Sequence, residues 1–258
     1  MNDNTVIYEQ PLNEVIRVCL RLEQVFFQID HQLKDASTSG TRNILSSIIN
    51  VLQLLDRPDL KAKLAKELSL HMTLLLRLEQ SQAPEIDHLK LKELLRQLEE
   101  LSRILIDSSG KIAQSLREVE LLNNLRLHLA SPGGGCSFDL PLYHYWLQQP
   151  SEQRFATIRL WLNEFDNIRL TVHLVLRLIR EGSKIQTKNA DNGFYQELLD
   201  PQLNLKLIRV AVPNDIQTYP EISIGRHFLS IRFFEPTIKD RPTQYASNLQ
   251  FWLSYCSS

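Results

Sequence analysis

Along most of this chain the apolar residues recur at steps of three and four, and near the end they alternate instead. Leu12, Ile16, Cys19, Leu22, Phe26, Ile29 and Leu33 trace the stripe of an amphipathic helix. A polar turn over Asp35–Gly40 ends it. Thr41 offers an N-cap for a second helix reaching Asp56, with Ile44, Ile48, Leu52 and Leu55 inward. Beyond the Arg57-Pro58-Asp59 break, a third helix carries Leu60, Leu64, Leu68, His71, Leu75 and Leu78 on one face, until Ser81–Pro84 stops it. The fourth spans Glu85–Asp107, where Leu91, Leu94, Leu98, Leu101 and Leu105 repeat like heptad a and d positions. A fifth follows Ser108-Ser109-Gly110, with Ile112, Leu116, Val119, Leu122 and Leu125. A short segment then covers Leu142–Gln148. A sixth long helix runs from Ser151 to Arg180 on Phe155, Ile158, Leu162, Phe165, Ile168, Val172, Val175 and Ile179.

After Glu181-Gly182 the helical period is gone. Gly193–Leu198, Leu203–Val212, Gly225–Phe234 and Leu249–Tyr255 alternate with period two, separated by turns rich in Pro, Asn, Asp and Thr. Thr5-Val6-Ile7-Tyr8 reads as one more strand, ended by Pro11, and a lone strand cannot leave its backbone unpaired. The fold class is α+β: an N-terminal helical bundle domain, then an antiparallel β-sheet domain of three or four C-terminal strands that the N-terminal strand joins. The boundaries expected are 13–180 for the helical domain, with 1–12 and 183–258 forming the strand domain.

Three of the chain's 8 glycines stand together in Pro132-Gly133-Gly134-Gly135-Cys136-Ser137-Phe138-Asp139-Leu140-Pro141. This glycine-rich joint, 132–141, is expected to be a hinge-like turn between two domains. It lacks the Lys-Ser/Thr of a phosphate loop and the G-x-G-x-x-G spacing, so nucleotide binding is rejected.

Charge adds little at first. Lys+Arg (29) nearly balances Asp+Glu (30), so nothing global argues for nucleic acid or a membrane surface, and recognition must come from a local patch. Three distant cysteines form neither a disulfide framework nor a metal motif, which fits a reducing cytoplasm. No secretory leader or membrane-spanning run is evident, so a soluble cytoplasmic protein is expected. The seven histidines are scattered, without metal-ligand spacing. Cys136 with His144 suggests a nucleophile and a base, but no third member is marked out, and Cys136 is expected to be a buried or joint-packing residue. Arg17 and Arg21, four apart, share a helix face beside the apolar stripe, with Glu14 or Glu23 as nearby partners. Arg226 and Arg232 flank the strand around Phe228, and their spacing of six places them on one sheet face. Arg117 lies in the fifth helix and points either into a cleft or into water.

Five words of the chain together resemble the ZapD family of bacterial cell-division proteins: Glu9-Gln-Pro-Leu-Asn-Glu14, Arg17-x-x-x-Arg21-Leu-Glu23, Ser115-Leu-Arg-Glu118, the glycine-rich word ending at Pro141, and Asn192-Gly-Phe-Tyr-Gln196. The order of helices then strands also fits. The resemblance implies a non-enzymatic homodimer without a cofactor. It implies binding to the C-terminal tail peptide of the tubulin-like GTPase FtsZ, which cross-links and bundles protofilaments and supports the Z-ring at midcell. It further implies that basic residues near the joint of the two domains meet that tail: Arg17, Arg21, Arg117 and His144, with Arg226 and Arg232 as further members. No nucleic acid and no membrane insertion are expected. Two other readings stay open on the residues: a coiled-coil-like scaffold using the fourth helix, which requires exposed Leu91, Leu94 and Leu98, and a hydrolase dependent on Cys136.

Overall fold

The computed structural model describes residues 4–80, 87–128, 133–200 and 204–257. The expected break at Ser81–Pro84, the Glu85 helix start, Pro132 and the Leu203 strand start lie outside these residues. The chain divides into two compact units, Met1–Arg17 with Arg177–Ser258, and Val18–Leu176.

The strand unit holds β1 (Thr5–Pro11), β2 (Lys184–Ala190), β3 (Phe194–Leu198), β4 (Leu205–Pro213), β5 (Tyr219–Ile224), β6 (Phe228–Phe234) and β7 (Leu249–Ser257). They form two antiparallel sheets, ordered β1-β4-β7-β2 and β3-β6-β5, rather than the single sheet expected. The N-terminal strand does join: β1 pairs with β4, Val6 opposite Val212 and Tyr8 opposite Val210. Alternation on the facing strands supplies the core. Ile208, Val210, Val212, Leu249, Phe251 and Leu253 of the first sheet meet Leu229, Ile231 and Phe233 of the second. The Phe233 and Phe251 rings lie 5.0 Å apart across it.

Two strands, β2 and β5, escape the sequence reading for physical reasons. KIQTKNA is polar and exposed along most of its length, and YPEISI carries Pro220; both are sheet-edge strands, where alternation is weak and proline is tolerated. Between β2 and β3 the chain turns at Asn192 (φ 50) and Gly193 (φ 70), the double left-handed conformation of a tight hairpin turn. A Cβ at Gly193 would stand 2.2 Å from the Tyr245 carbonyl oxygen, so the glycine in the Asn-Gly-Phe-Tyr-Gln word is a packing requirement. Just beyond, Glu197 accepts hydrogen bonds from Tyr195, Tyr255 and Lys188, joining β3 to β2 and β7. Burial pushes the Glu197 carboxyl up, yet these donors outweigh it and hold the group below the ordinary glutamate value.

The helical unit begins within α1 (Glu14–Gln32), whose first turn belongs to the strand unit, and continues through α2 (Thr38–Leu55), α3 (Leu60–Gln80), α4 (His88–Asp107), α5 (Gln114–Arg117), α6 (Glu120–His128), α7 (Pro141–Leu147), α8 (Ser151–Asn163) and α9 (Asp166–Glu181). Most of the predicted inward residues are buried, among them Ile16, Cys19, Leu22, Phe26 and Ile29 on α1 and Ile44, Ile48, Leu52 and Leu55 on α2, whereas Leu78 at the end of the α3 stripe is exposed. Boundaries differ in three places. The N-cap of α2 is Ser37, whose hydroxyl accepts from Gly40 N at 2.9 Å; Thr41 instead accepts from the buried Arg154 guanidinium. The expected fifth helix is α5 and α6. The expected sixth is α8 and α9, with buried Phe165 between them. The glycine-rich segment falls inside this unit, between α6 and α7, and is not a turn between the units. No helix among the described residues is long and apolar enough to cross a membrane.

Candidate functional site

The recognisable words of this sequence are mostly structural grammar. In Glu9-Gln-Pro-Leu-Asn-Glu14, Asn13 caps α1 by accepting from Ile16 N at 2.9 Å, and Glu14 pairs with Arg17 at 2.6 Å. Glu9 stands within ion-pair distance of both Arg180 (2.7 Å) and Arg209 (2.9 Å). In the glycine-rich word Gly133 (φ 72) and Gly135 (φ 88) take left-handed backbone, and the Cys136 carbonyl accepts from Asp139 N and Leu140 N. Pro141 then occupies the first turn of α7.

Cys136 corrects one expectation. It is exposed rather than buried, and its thiol lies 3.2 Å from the Gly133 carbonyl of the same segment. The buried thiols are Cys19 and Cys256. Burial, with Glu67 and Glu23 adding negative charge, pushes Cys19 up to about 12, and burial raises Cys256 as well. Labelling of the folded protein with a maleimide at neutral pH is therefore expected to modify Cys136 first and to leave Cys19 and Cys256 intact. Mass spectrometry of the digested adduct reads this out, and rapid modification of Cys19 would contradict the burial described. Cys136→Ala with full partner binding removes any need for a nucleophile there.

The candidate cations differ in what they can offer. Arg17 and Arg21 lie one turn apart on α1, outside the buried stripe. The Arg17 side chain is 41% exposed, and Arg21 is exposed and makes no ion pair among the described residues. His144 is exposed on α7. Arg232 projects from β6, opposite Phe194 and Glu221 in register, with its guanidinium 5.8 Å from the Phe194 ring centre. Arg226 does not share its strand: it sits in the turn between β5 and β6, so the spacing of six does not place the two on one face.

Arg117 is the most constrained. Its side chain is 12% exposed and donates to Asp56 Oδ1 at 2.6 Å and to the Leu52 and Ile112 carbonyls. Asp56 ends α2 and gathers two more cations: Lys111 Nζ 3.2 Å from Oδ1, and Arg126 Nη2 3.0 Å from Oδ2. Burial pushes the Asp56 carboxyl up, but the Lys111 hydrogen bond and the charges of Arg117 and Arg126 prevail and hold it below the ordinary aspartate value. This three-to-one cluster was invisible in the sequence. Asp56 and Arg117 are 61 residues apart, and no local pattern connects them.

Other chemistries find no support in these side chains. Among the described residues no three His, Cys, Asp or Glu side chains converge as metal ligands. The leucine stripe of α4 is spent internally: Leu91, Leu98, Leu101 and Leu105 are buried and Leu94 half-buried, which denies a partner helix the face a scaffold needs.

The comparisons with known proteins agree with one another. A family model named ZapD and described as a cell division protein matches residues 20–232. The chain is 37% identical over 254 residues to the cell division protein ZapD of Coxiella burnetii (strain RSA 331 / Henzerling II), covering 98% of each chain. It is 34% identical to the protein of the same name in Methylococcus capsulatus (strain ATCC 33009 / NCIMB 11132 / Bath), again over 98% of both. It is also 34% identical to that of Azoarcus sp. (strain BH72), covering 98% of this chain and 99% of the relative.

Proposed function

The chain belongs to the ZapD family of cell division proteins, and on that premise we propose that it binds the C-terminal tail of FtsZ and, as a homodimer, cross-links FtsZ protofilaments into bundles that stabilise the division ring. It acts without catalysis or cofactor, in the cytoplasm and at midcell. Arg17, Arg21, Arg117, His144, Arg226 and Arg232 form the basic set assigned to the tail, some by contact and some by support.

The observation that carries this reading is the exposed arginine pair on α1. Arg17 and Arg21 stand clear of the apolar stripe that their helix buries, and Arg21 makes no ion pair among the described residues. Guanidinium forks match carboxylates of an extended peptide in a way that lysine or histidine does not. One such site decorates a filament. Two sites on a dimer make the second contact intramolecular, so modest single-site affinity suffices for bundling.

The test is binding of a fluorescent FtsZ tail peptide followed by anisotropy at low and high salt. Affinity is expected to fall several-fold as salt rises, because exposed charge pairs are screened beyond about 10 Å at 0.1 M ionic strength. Absence of binding at low salt would overturn the reading, as would binding that salt leaves unchanged.

A further inference from the structure

Resting on that reading, the charges inside the helical unit divide the labour at Arg117. We propose that Lys111 and Arg126 are the side chains that meet a carboxylate of the tail peptide, and that Arg117 and Asp56 are positioning residues behind them.

Three observations carry the assignment. Arg117 has little left to give: it is 12% exposed, one guanidinium nitrogen is taken by Asp56 and another by the Leu52 and Ile112 carbonyls. Lys111 and Arg126 are 60% and 45% exposed, and the side chain of each touches Asp56 once. An ammonium carries three donors and a guanidinium five, so both keep donors directed at solvent. The charges also do not balance. Among the described residues in ion-pair contact there, three cations surround one carboxylate, an excess of two positive charges. An acidic peptide is the complementary ligand.

The cluster is also held in place before any ligand arrives. Lys61 donates to the carbonyls of Ser108 and Gly110, fixing the loop that delivers Lys111. Asn123 of α6 donates to the Arg117 carbonyl at 2.6 Å, tying the helix that bears Arg126 to the residue behind it. Asp56 already bridges Lys111 and Arg126 through its two oxygens, so the spacing of these cations suits a carboxylate. A second one approaching from solvent meets groups that need little reordering, which limits the entropic cost of binding.

The test compares tail-peptide binding and thermal melting for the wild type, Lys111→Gln/Arg126→Gln, Lys90→Gln/Lys92→Gln, Arg117→Gln and Arg21→Glu. The second pair removes equal charge at the far end of α4, roughly 25 Å away along a helix of this length. Lys111→Gln/Arg126→Gln is expected to bind about tenfold more weakly, with a melting temperature lowered less than by Arg117→Gln, since the contacts it loses lie at exposed positions. Lys90→Gln/Lys92→Gln is expected to bind like the wild type, and Arg117→Gln to melt at lower temperature. If Lys111→Gln/Arg126→Gln binds like the wild type while Arg21→Glu does not bind, this assignment falls and the functional reading stands. Equal weakening by both lysine-containing pairs also overturns it, because net charge alone then explains the loss. A wild-type protein that ignores the peptide overturns both.

Discussion

On the proposed function, Arg21→Glu is expected to leave a folded protein that no longer co-sediments with FtsZ filaments, and Arg17→Glu to do the same with a small additional loss of helix stability. The difference between the two follows from their neighbours on α1. Arg17 is paired with Glu14 at i,i+3, so reversal there places two carboxylates on adjacent turns, at a cost of about 0.2–0.5 kcal/mol to the helix. Arg21 makes no ion pair among the described residues, and its reversal removes nothing from the fold. Binding pays much more. A hydrogen bond to a charged group contributes about 1.5–3 kcal/mol, and replacing attraction by like-charge repulsion costs several more. A loss of at least about a hundredfold at one site follows from those magnitudes. Bundling requires both sites of a dimer at once, so cross-linking vanishes before single-site decoration does. The measurement is pelleting of FtsZ polymers with each variant, beside size-exclusion chromatography and circular dichroism of the variant alone. Bundling by both variants at wild-type levels would remove these arginines from the site.

The physical origin of what could and could not be read from the sequence is visible residue by residue. Helical stripes were legible because each helix buries one face, and Ile16, Cys19, Leu22, Phe26 and Ile29 are the same residues in the pattern and in the core. The pairing of β1 was legible because its backbone groups demand a partner. The break between α8 and α9 was not: Leu162, Phe165 and Ile168 keep the three-residue step straight through it, and neither glycine nor proline marks the spot. The edge strands β2 and β5 were hidden because an edge buries too little to impose alternation. At the candidate site, exposed arginines on α1 could be placed from their spacing alone. The ring of cations around Asp56 could not, since it joins the end of α2 to α5, α6 and the loop before them, and tertiary contact alone creates it. Arg117, which the sequence leaves pointing either into a cleft or into water, is a tethered cation in the fold.

The same contrast separates two glutamates of one sequence word. Glu9 and Glu14 stand five residues apart, each paired with arginine, and neutralising them is expected to have very different consequences. Glu9 lies on β1 and is 17% exposed. Arg180 grips it with a fork, Nε at 2.9 Å and Nη2 at 2.7 Å, while Arg209 on β4 brings its Nε within 2.9 Å. Both arginines are largely covered, at 24% and 16% exposure. Glu9→Gln takes from two partly buried guanidiniums the carboxylate charge they share. Breaking a fully buried pair costs about 3–5 kcal/mol, and the residual exposure here reduces the expected loss to about 2–3 kcal/mol. Glu14 is 45% exposed and its i,i+3 pair is screened, so Glu14→Gln is expected to cost less than about 0.5 kcal/mol. Urea unfolding at one fixed protein concentration, which holds any contribution of self-association constant, resolves the two. A midpoint shifted strongly by Glu9→Gln and barely by Glu14→Gln supports the division. Equal shifts would mean that the Glu9 carboxylate is as solvated as its neighbour, and that β1 is held to its sheet by backbone pairing and apolar packing alone.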